Sequence, residues 1–436
     1  MGVLAAILVV LTALLGTPLF VVMALAGLVA FSFSDVPSAA LAIEIYRVAS
    51  APTLLTIPLF TFAGYLMAES NSPKRLLRLA DAALGWMPGG VAIVSLVICA
   101  FFTAFTGASG VTIIALGGLL YPILKSEGYS ERFSLGLITT SGSLGLLFAP
   151  SLPIILYGIV ARVDIDQLFL AGIAPGTFLI LILAAWSIKN ANPDKPLLAA
   201  LSDYKEQVRA QRPRNKFCIK EFFAALRESF LEVLLPIGII IGIYGGYTTA
   251  TEAAALTAFY ILILECVIYR DIHIFKDLPR ITFDSMSLVG GILLILCCAM
   301  GFTNYLIDEE VPMKLLAFIR EHVDNKYVFL LLLNIFLLIV GSMMDIFSAI
   351  IVVVPLIAPI AAEFDIHPVH LAMIFLTNLE IGYITPPVGI NLFISSFRFK
   401  KPMLELYKSV IPYFILLFIA LMVITYVPTL SLFMIE

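Results

Sequence analysis

Long apolar segments separated by short polar ones dominate this chain, and most of the apolar segments reach the length of a membrane span. Residues 3–33 are almost wholly apolar apart from a Gly-Thr-Pro interruption. A crossing needs about 20 residues, so this segment predicts one long tilted helix or two short ones. Further spans are predicted at residues 54–67, 168–188, 231–247, 251–269, 287–306 and 413–428. The pattern predicts an all-α polytopic membrane protein.

Several apolar stretches contain interruptions that a simple span avoids. The clearest case is residues 340–396, where Thr385 is followed by two prolines. A Pro-Pro pair removes backbone donors and clashes with the preceding turn, so a helix cannot continue through it. At membrane depth, unpaired backbone groups are tolerated only where they line a protein-buried or watery cavity. We therefore predict breaks near residues 341–346 and 382–389.

The interruptions recur at a fixed offset along the chain. When the numbering is shifted by 237, residues 101–160 fall on residues 338–397 without a gap. The matched landmarks are Pro122 with Pro359, Thr140 with Thr377, Gly145 with Gly382, and Pro150 with Pro387. This register predicts a duplicated unit whose interrupted helices meet in the middle of the membrane, a layout typical of transporters.

Each repeat is predicted to hold one re-entrant helical hairpin and one interrupted transmembrane helix. The first repeat is residues 1–188 and the second is residues 229–436, joined by a cytoplasmic linker at 189–228. The predicted hairpins are residues 88–126 and 327–363, and the predicted interrupted helices are residues 130–160 and 367–397.

The distribution of basic residues sets the predicted orientation. Lys74, Arg75 and Arg78 precede the first hairpin, and Lys125 and Arg132 follow it. Both flanks therefore read as cytoplasmic, which favours a hairpin over a single broken span. The linker is also basic, and the second hairpin is predicted to enter from the opposite side, so the repeats are inverted.

A short amphipathic helix is predicted between the second span and the first hairpin, from Ser72 to Gly85. Ser72 is its predicted cap, and its basic face is expected on the cytoplasmic surface. In the second half, Thr248 to Thr251 are candidate caps for a helix that carries Glu252 in its first turn.

Composition narrows the functional classes. The chain has 436 residues, of which 61% are hydrophobic and 13% charged, whereas soluble domains carry about 25% charged residues. No phosphate-binding GxxxxGK[ST] motif is present, so the chain shows no means of using ATP itself. The five cysteines have no metal-site spacing. Binding of nucleic acid is not expected, because aromatic residues are not interleaved with the basic ones of the linker.

The predicted breaks are rich in hydroxyl groups, amides and glycine-exposed carbonyls. These are hard oxygen donors of the kind that alkali cations prefer. The alternative is that the small residues only allow close helix packing or a kink. The candidate sodium- or substrate-binding residues are Thr106, Gly107, Ser109, Gly110, Ser141, Gly142, Ser143, Gly145, Ser151, Gly341, Ser342, Asp345, Asn378, Gly382, Thr385, Pro386 and Asn391.

Two carboxylates, Asp345 and Glu380, are predicted inside the membrane. Each costs about 2.5–3.5 kcal/mol on insertion scales, so a functional role is the default expectation. Asp345 is predicted to bind either a cation or a helix end at the hairpin tip. Glu380 is predicted to serve function or to make a structural hydrogen bond. His370 lacks a metal partner in the sequence and is expected to be packed or interfacial.

At these residues the chain resembles the large membrane subunit of tripartite ATP-independent periplasmic (TRAP) transporters, within the wider ion transporter superfamily. The matching text includes GYSERF, LGLITTSGSLG, LLFAPSLPIILYG, LFLAGIAPG and GGYTTATEAAA. The most specific match is VGSMMD…VVPLIAPIAAEFDIHPVH…IGYITPPVGINLF. One departure is Phe148-Ala149-Pro150-Ser151, which stands where the family often has a second proline.

The resemblance implies sodium-coupled import of an organic acid across the bacterial inner membrane. It implies an elevator motion of a transport domain against a scaffold, with sodium ions for coupling and no other cofactor. It also implies two partners, a small membrane subunit and a periplasmic solute-binding protein. By motif position it puts sodium at Gly107, Ser109, Ser141, Gly341, Asp345 and Thr385.

Two alternatives remain open at this stage. One is a self-sufficient sodium/dicarboxylate symporter of the same superfamily. The other is an intramembrane hydrolase, for which His370 and Asp345 are the only candidate pair, and no motif couples them to a serine. An enzyme is therefore not expected. The sequence carries no signature that distinguishes a dicarboxylate substrate from sialic acid.

Overall fold

The computed structural model describes residues 11–12, 17, 19–32, 39–87, 89–190, 218–323 and 325–435. Every regular element in these residues is helical. Six of the described helices are long and apolar enough to cross a membrane, and a seventh crossing arises if one pair bent by 45° is a single span. The prediction of an all-helical polytopic membrane protein is thus confirmed. Residues 3–10, 13–16, 18 and 33 of the predicted N-terminal span and residues 191–217 of the linker lie outside the described residues.

The first half contains nine described α-helices and two short 3-10 turns, at Pro52–Leu55 and Leu144–Leu147. The helices are α1 (Leu19–Ser32), α2 (Ala39–Ala49), α3 (Thr56–Glu69), α4 (Ser72–Leu84), α5 (Gly90–Thr106), α6 (Ser109–Ser126), α7 (Glu131–Ser141), α8 (Leu152–Ala161) and α9 (Ile165–Asn190).

The second half contains the remaining described helices. Its helices are α10 (Ile219–Tyr244), α11 (Ala250–Ile263, continued by a π-helical turn at Leu264–Ile268), α12 (Asp277–Asp308), α13 (Val311–His322), α14 (Lys326–Met343), α15 (Ile346–Ala362), α16 (Pro368–Gly382), α17 (Ile390–Phe399), α18 (Met403–Tyr426) and α19 (Thr429–Leu432).

The helix boundaries follow the 237-residue offset closely. Helix α5 ends at Thr106 and α14 at Met343, and 106 + 237 = 343. Helix α6 begins at Ser109 and α15 at Ile346, and 109 + 237 = 346. The two-residue breaks between these arms are therefore register equivalents. Both arm pairs have the short connection that a helical hairpin needs.

The helix contacts between the two halves come in pairs that are related by the same 237-residue offset. Helix α6 packs on α17, and the equivalent pair α15 and α8 also packs together. Likewise α7 packs on α18, and α16 on α9. In each case, where a helix of the first half packs on a helix of the second half, their two register equivalents also pack on each other. Such exchange is the contact pattern expected of two like units related by a twofold axis.

The helices form two groups by their contacts. Helices α5–α9 and α14–α18 carry the hairpins and the interrupted helices. Helices α1–α4 pack on α10–α12, through the pairs α1 with α12, α2 with α12, α3 with α11, α3 with α12, and α4 with α10. The first group contains the candidate site. Helices α3 and α4 contact it through α5, α3 also through α6 and α8, and α12 through α15.

Local sequence signals explain several helix ends. Thr249 caps α11, and its hydroxyl accepts from the Glu252 N–H while the Glu252 carboxylate accepts from the Thr249 N–H. This reciprocal pair is a capping box, so the predicted caps at 248–251 include the observed one. Helix α5 ends where Gly107 takes a left-handed conformation with φ of +62°, which residues with a Cβ adopt only with strain.

Three sequence expectations need correction. Ser72 does not cap α4, because its hydroxyl donates to Glu232 at 2.5 Å and lies 2.9 Å from Glu265, and Asn71 holds the cap position. Arg75 does not lie on an exposed basic face: it is 9% exposed and bonds acidic groups of the other half. Helix α10 begins at Ile219, inside the range assigned to the linker.

Candidate functional site at the helix breaks

The tip of the second hairpin is organised by Asp345. Its carboxylate accepts hydrogen bonds from the backbone N–H groups of Phe347 at 3.0 Å and Ser348 at 3.1 Å, and from the Ser348 hydroxyl at 2.5 Å. Asp345 is thus the N-cap of α15, where the positive end of the helix stabilises its charge. Of the two roles predicted for Asp345, the helix-end role is observed directly.

This tip is bonded to the break between α16 and α17. The Gly389 N–H donates to the Ser342 carbonyl at 3.0 Å, and the Ile346 N–H donates to the Tyr383 hydroxyl at 2.7 Å. The hairpin and the interrupted helix therefore form one bonded unit. Movement of either part requires movement of the other or loss of these bonds.

The first hairpin meets its own break in an equivalent way. The Thr103 hydroxyl donates at 2.8 Å to the Gly142 carbonyl. A Cβ added to Gly145 would lie 2.5 Å from the Ala104 nitrogen, and one added to Gly382 would lie 2.5 Å from the Gly341 carbonyl carbon. Since 104 + 237 = 341 and 145 + 237 = 382, the same two positions touch in both halves.

The two breaks are also joined to each other. The Asn391 amide nitrogen donates to the Thr139 carbonyl at 3.1 Å, and the Thr139 and Ser395 hydroxyls are 2.9 Å apart. Gly110, near the start of α6, faces the Ile394 side chain of α17. Residues at the tip of the first hairpin and at both breaks consequently belong to one region.

Buried oxygen atoms without a donor collect around this region. Within the described part of the chain, the side-chain oxygens of this kind on the four helices of the breaks and their caps belong to Thr140, Ser151, Tyr157, Thr377, Asn378, Glu380 and Asn391. The amide nitrogens of Asn378 and Asn391 do have acceptors. The unsatisfied groups are thus oxygens, and a buried polar group without a partner costs free energy.

Glu380 is the extreme case. Its side chain is 1% exposed, and neither carboxylate oxygen has a hydrogen-bond partner among the described residues. Of its two predicted roles, the structural hydrogen bond is not found. Thr377, three residues earlier on α16, also has an unpartnered hydroxyl, and residues at this spacing share a helix face. Thr377 and Glu380 therefore place side-chain oxygens without partners on the same face of α16.

The amide nitrogen of Asn378, also on α16, belongs to a hydrogen-bond network. Asn378 donates to Asn334 Oδ1 at 2.6 Å, and Asn334 donates to the Thr425 hydroxyl at 3.1 Å. The nearby His370 ring bonds the Thr425 carbonyl and the Ser431 hydroxyl, each at 3.2 Å. Because a carbonyl only accepts, His370 Nε2 carries the proton and Nδ1 accepts from Ser431. His370 is packed, as predicted, and it makes no bond to Asp345.

The structure brings most of the predicted site residues together. They differ in whether their side chains already make hydrogen bonds. The hydroxyls of Ser141, Ser143, Ser342 and Thr385 donate to carbonyls of their own helical turns. Their lone pairs remain available, because each hydroxyl has two. Pro386 differs from the rest, since it is exposed. Thr106, Ser109 and Ser151 are buried near the first break.

Some residues of the site have no signal that a single sequence reveals. Tyr383 binds the hairpin through its hydroxyl, yet one tyrosine in an apolar helix looks like packing. Tyr157 on α8 presents an unpartnered hydroxyl for which the same is true. Thr140 and Thr377 are visible in the sequence as register matches, and that match is the signal that marks them.

No group of three or more His, Cys, Asp or Glu side chains in the described ranges has metal-site geometry. The donor set is instead hydroxyl, amide, carbonyl and single carboxylate oxygens. This set suits an alkali cation better than zinc or another transition metal, which prefer nitrogen and sulfur ligands.

Comparison with known proteins decides the family. Residues 5–430 match the family model of the tripartite ATP-independent periplasmic transporter, DctM component. The chain belongs to this family. It is a multi-pass membrane protein and a large permease component of a TRAP transporter, which confirms the resemblance seen in the sequence.

The names of relatives of this permease component mention several different substrates. It is 33% identical to the C4-dicarboxylate TRAP transporter large permease protein of Pseudomonas aeruginosa, over 92% of this chain and 90% of that protein. It is 30% identical to the sialic acid TRAP transporter large permease protein of Vibrio cholerae, over 88% and 86%. It is 34% identical to the isethionate TRAP transporter permease DctMQ of Oleidesulfovibrio alaskensis, over 87% of this chain and 58% of that longer protein.

Two solved structures resemble the permease component in fold. The YdaH transporter of Alcanivorax borkumensis superposes with a TM-score of 0.59 at 14% identity, over 88% of this chain and 86% of that one. MtrF of Neisseria gonorrhoeae gives a TM-score of 0.54 at 14% identity, over 88% and 82%. At such identity the likeness concerns the fold alone.

Proposed function

We propose that this permease component imports a small organic acid across the bacterial inner membrane, coupled to sodium. The observation that carries the proposal is the collection of buried, donor-free oxygens where two hairpins meet two helix breaks. Such oxygens are costly unless a positive group is present when the protein works. A sodium ion supplies that charge, and it binds the hydroxyl and carbonyl oxygens found there.

The helix ends at the breaks support binding of a cation and an anion together. Helices α6, α8, α15 and α17 begin at the breaks, while α5, α7, α14 and α16 end there. Helix N-termini attract negative groups, and C-terminal carbonyls attract cations. Interrupted transporter helices use both ends in this way. A carboxylate substrate and a sodium ion therefore fit the same region without a full charge from the protein at every contact.

The names of relatives support the proposed substrate class. The relatives are described as transporters of C4-dicarboxylates, sialic acid and isethionate, and all three are small organic anions. We propose an organic acid of this class, with a C4-dicarboxylate, sialic acid or a related carboxylate as the first candidates to test.

Two partners are part of the proposal. The family description names a tripartite periplasmic transporter, and one relative is named as a combined DctMQ permease. A small membrane subunit and a periplasmic solute-binding protein would complete the system. The helix group that holds the breaks is proposed to move as a transport domain against the group formed by α1–α4 and α10–α12, in an elevator motion between inverted repeats.

Reconstitution of the complete system in liposomes tests this function. The chain, its small subunit and its binding protein are incorporated, and uptake of labelled dicarboxylate, sialic acid and isethionate is followed. We expect uptake of at least one anion only with an inward sodium gradient. Equal uptake on a proton gradient without sodium would contradict the coupling.

The same assay separates the proposal from the self-sufficient symporter. Liposomes that contain the purified chain alone should show no uptake above protein-free liposomes. Robust uptake by the chain alone would favour the symporter and would reject the need for partners.

A further inference from the structure

A groove runs between the two helix groups, outside the site at the breaks. Its volume is about 430 Å³, and it lies between α3 and α4 on one side and α6 on the other. We call it the α3–α6 groove, and the lining residues that matter here are Tyr65, Glu69, Lys74, Val111, Ala115 and Leu119. Of the described residues in the proposed sodium and substrate site, none lines this groove.

The α6 wall of the groove starts beside the first hairpin tip. Val111 is two residues from Ser109, the first residue of α6, and Leu119 is eight residues further along the same helix. At 1.5 Å per residue this wall is about 12 Å long. The groove therefore leads from the neighbourhood of the candidate site toward the end of α6 that carries Lys125.

One of the charged residues that line the groove, Lys74, has no acidic partner among the described residues. Glu69, which would repel an anion, pairs with Arg280 at 2.7 Å. Lys74 is exposed, and its ammonium group donates at 3.0 Å to the neutral Asn71 side chain rather than to a carboxylate. Within the described residues Lys74 is in no ion pair, so its positive charge faces the groove uncompensated.

A second cation borders the α6 wall. Arg398 of α17 is exposed and donates at 3.0 Å to the carbonyl of Ile114, a residue of the groove lining, and its guanidinium lies against Gly118. Within the described part of the chain this guanidinium forms no ion pair either. The groove is consequently flanked by positive charge on both walls, while its acidic group is neutralised.

We infer that the α3–α6 groove is a water-filled passage for the organic anion between the site at the breaks and the side of the membrane where basic residues gather, and that Lys74 is its attracting cation. This inference rests on the proposed transport of an anion, since an anion is what such a passage selects. Lys74 then helps to select anions over cations. This role is separate from binding at the breaks, where Lys74 takes no part.

Thiol labelling tests the passage without any substrate or sodium. The exposed Cys218 is first changed to Ser, and the buried native Cys99 serves as an internal unreactive thiol. Ala115→Cys is then introduced in the groove. The matched control is Ala255→Cys, an exposed position of α11 beside Leu256 and Phe259, on a face whose apolar side chains point away from the protein.

Membrane vesicles that contain the complete transporter are treated with two membrane-impermeant methanethiosulfonates, the anionic sulfonatoethyl and the cationic trimethylammonium-ethyl reagent. We expect Ala115→Cys to react with both, and Ala255→Cys to remain at the background level. We also expect reaction only when the reagents are added on the side of the basic residues.

Charge reversal at Lys74 tests the attraction. For charges about 8 Å apart in water, Lys74→Glu should lower the ratio of anionic to cationic labelling of Ala115→Cys by roughly thirtyfold at very low salt and by about fourfold at physiological ionic strength. Absence of labelling at Ala115→Cys would overturn the passage. Labelling with a ratio that Lys74→Glu does not change would overturn the role of Lys74. Both readings stand even if reconstituted uptake proves independent of sodium, so the two proposals fail separately.

Discussion

Gly341 and Gly382 pack backbone to backbone where the second hairpin crosses the interrupted helix. A Cβ on Gly382 would lie 2.5 Å from the Gly341 carbonyl carbon and 2.6 Å from its Cα. Real Cβ atoms do not approach backbone atoms so closely, so neither helix tolerates a side chain here without shifting. This contact holds α14 against α16 and thereby sets the position of Asp345 relative to the α16–α17 break.

Substitution of Gly382 should therefore separate the hairpin from the break. We expect Gly382→Ala to destabilise the purified protein by about 1–3 kcal/mol, as overpacking does, and to reduce uptake strongly. The control is Gly290→Ala in α12, where an added Cβ would meet nothing within 4 Å. That change should stabilise slightly, because alanine is the better helix former. Thermal unfolding in detergent measures both, and equal behaviour of the two variants would contradict the packing argument.

Asp345 is expected to combine two roles that different substitutions separate. Asp345→Asn preserves a good N-cap, whereas Asp345→Ala removes it at a cost of about 1 kcal/mol. Only the alanine variant should therefore unfold at a lower temperature. If the charge also helps to hold sodium, as proposed, both variants should need more sodium for half-maximal uptake. An unchanged sodium dependence in Asp345→Asn would leave Asp345 as a cap alone.

Glu380 is predicted to serve transport at the expense of stability. Its carboxylate has no hydrogen-bond partner to lose among the described residues, and an unsatisfied buried polar group costs about 1–3 kcal/mol. We expect Glu380→Met, which fills a similar volume, to unfold at a higher temperature than the parent but to lose uptake. Glu380→Gln keeps the shape and should be at least as stable as the parent. A lower unfolding temperature in both variants would mean that Glu380 has a structural partner after all.

Arg75 is predicted to hold α4 against the second half. It bonds Glu232 and Asp271, each at 2.6 Å, and Glu265 at 3.2 Å, and both glutamates are fully buried. Removal of one partner of a buried ion pair leaves uncompensated charge, which costs about 3–5 kcal/mol. We therefore expect Arg75→Ala to reduce the amount of folded protein in the membrane severely.

The control for Arg75 is its neighbour Arg78. That side chain is 46% exposed and pairs with the exposed Glu221 and Glu228, and exposed pairs contribute about 0–1 kcal/mol. Arg78→Ala should remain near parental abundance. If the two alanine variants behave alike, the buried network is not what anchors α4. Rescue of Arg75→Ala by Glu232→Gln would support the charge explanation, because it removes part of the surplus negative charge.

The sequence by itself was sufficient for the helical class, the two interruptions and their offset. These features depend on local rules: length and apolarity for a membrane span, proline and glycine for a break, and serine, threonine or aspartate for a cap. The offset of 237 found from four landmarks in the sequence also relates the ends of α5 and α14. Such signals lie within a few residues of the position that they determine, so a single chain reveals them.

The tertiary structure alone decided which of these residues have partners. Ser72 and Arg75 read as the start of an exposed basic helix, but acidic residues about 160 to 200 positions away bury and bond them. Asp345 and Glu380 look alike in sequence, yet Asp345 caps a helix and Glu380 meets no donor in the part of the chain that the structure describes. The reason is physical: whether a buried polar group is satisfied depends on what packs against it from distant segments, and no local pattern contains that information.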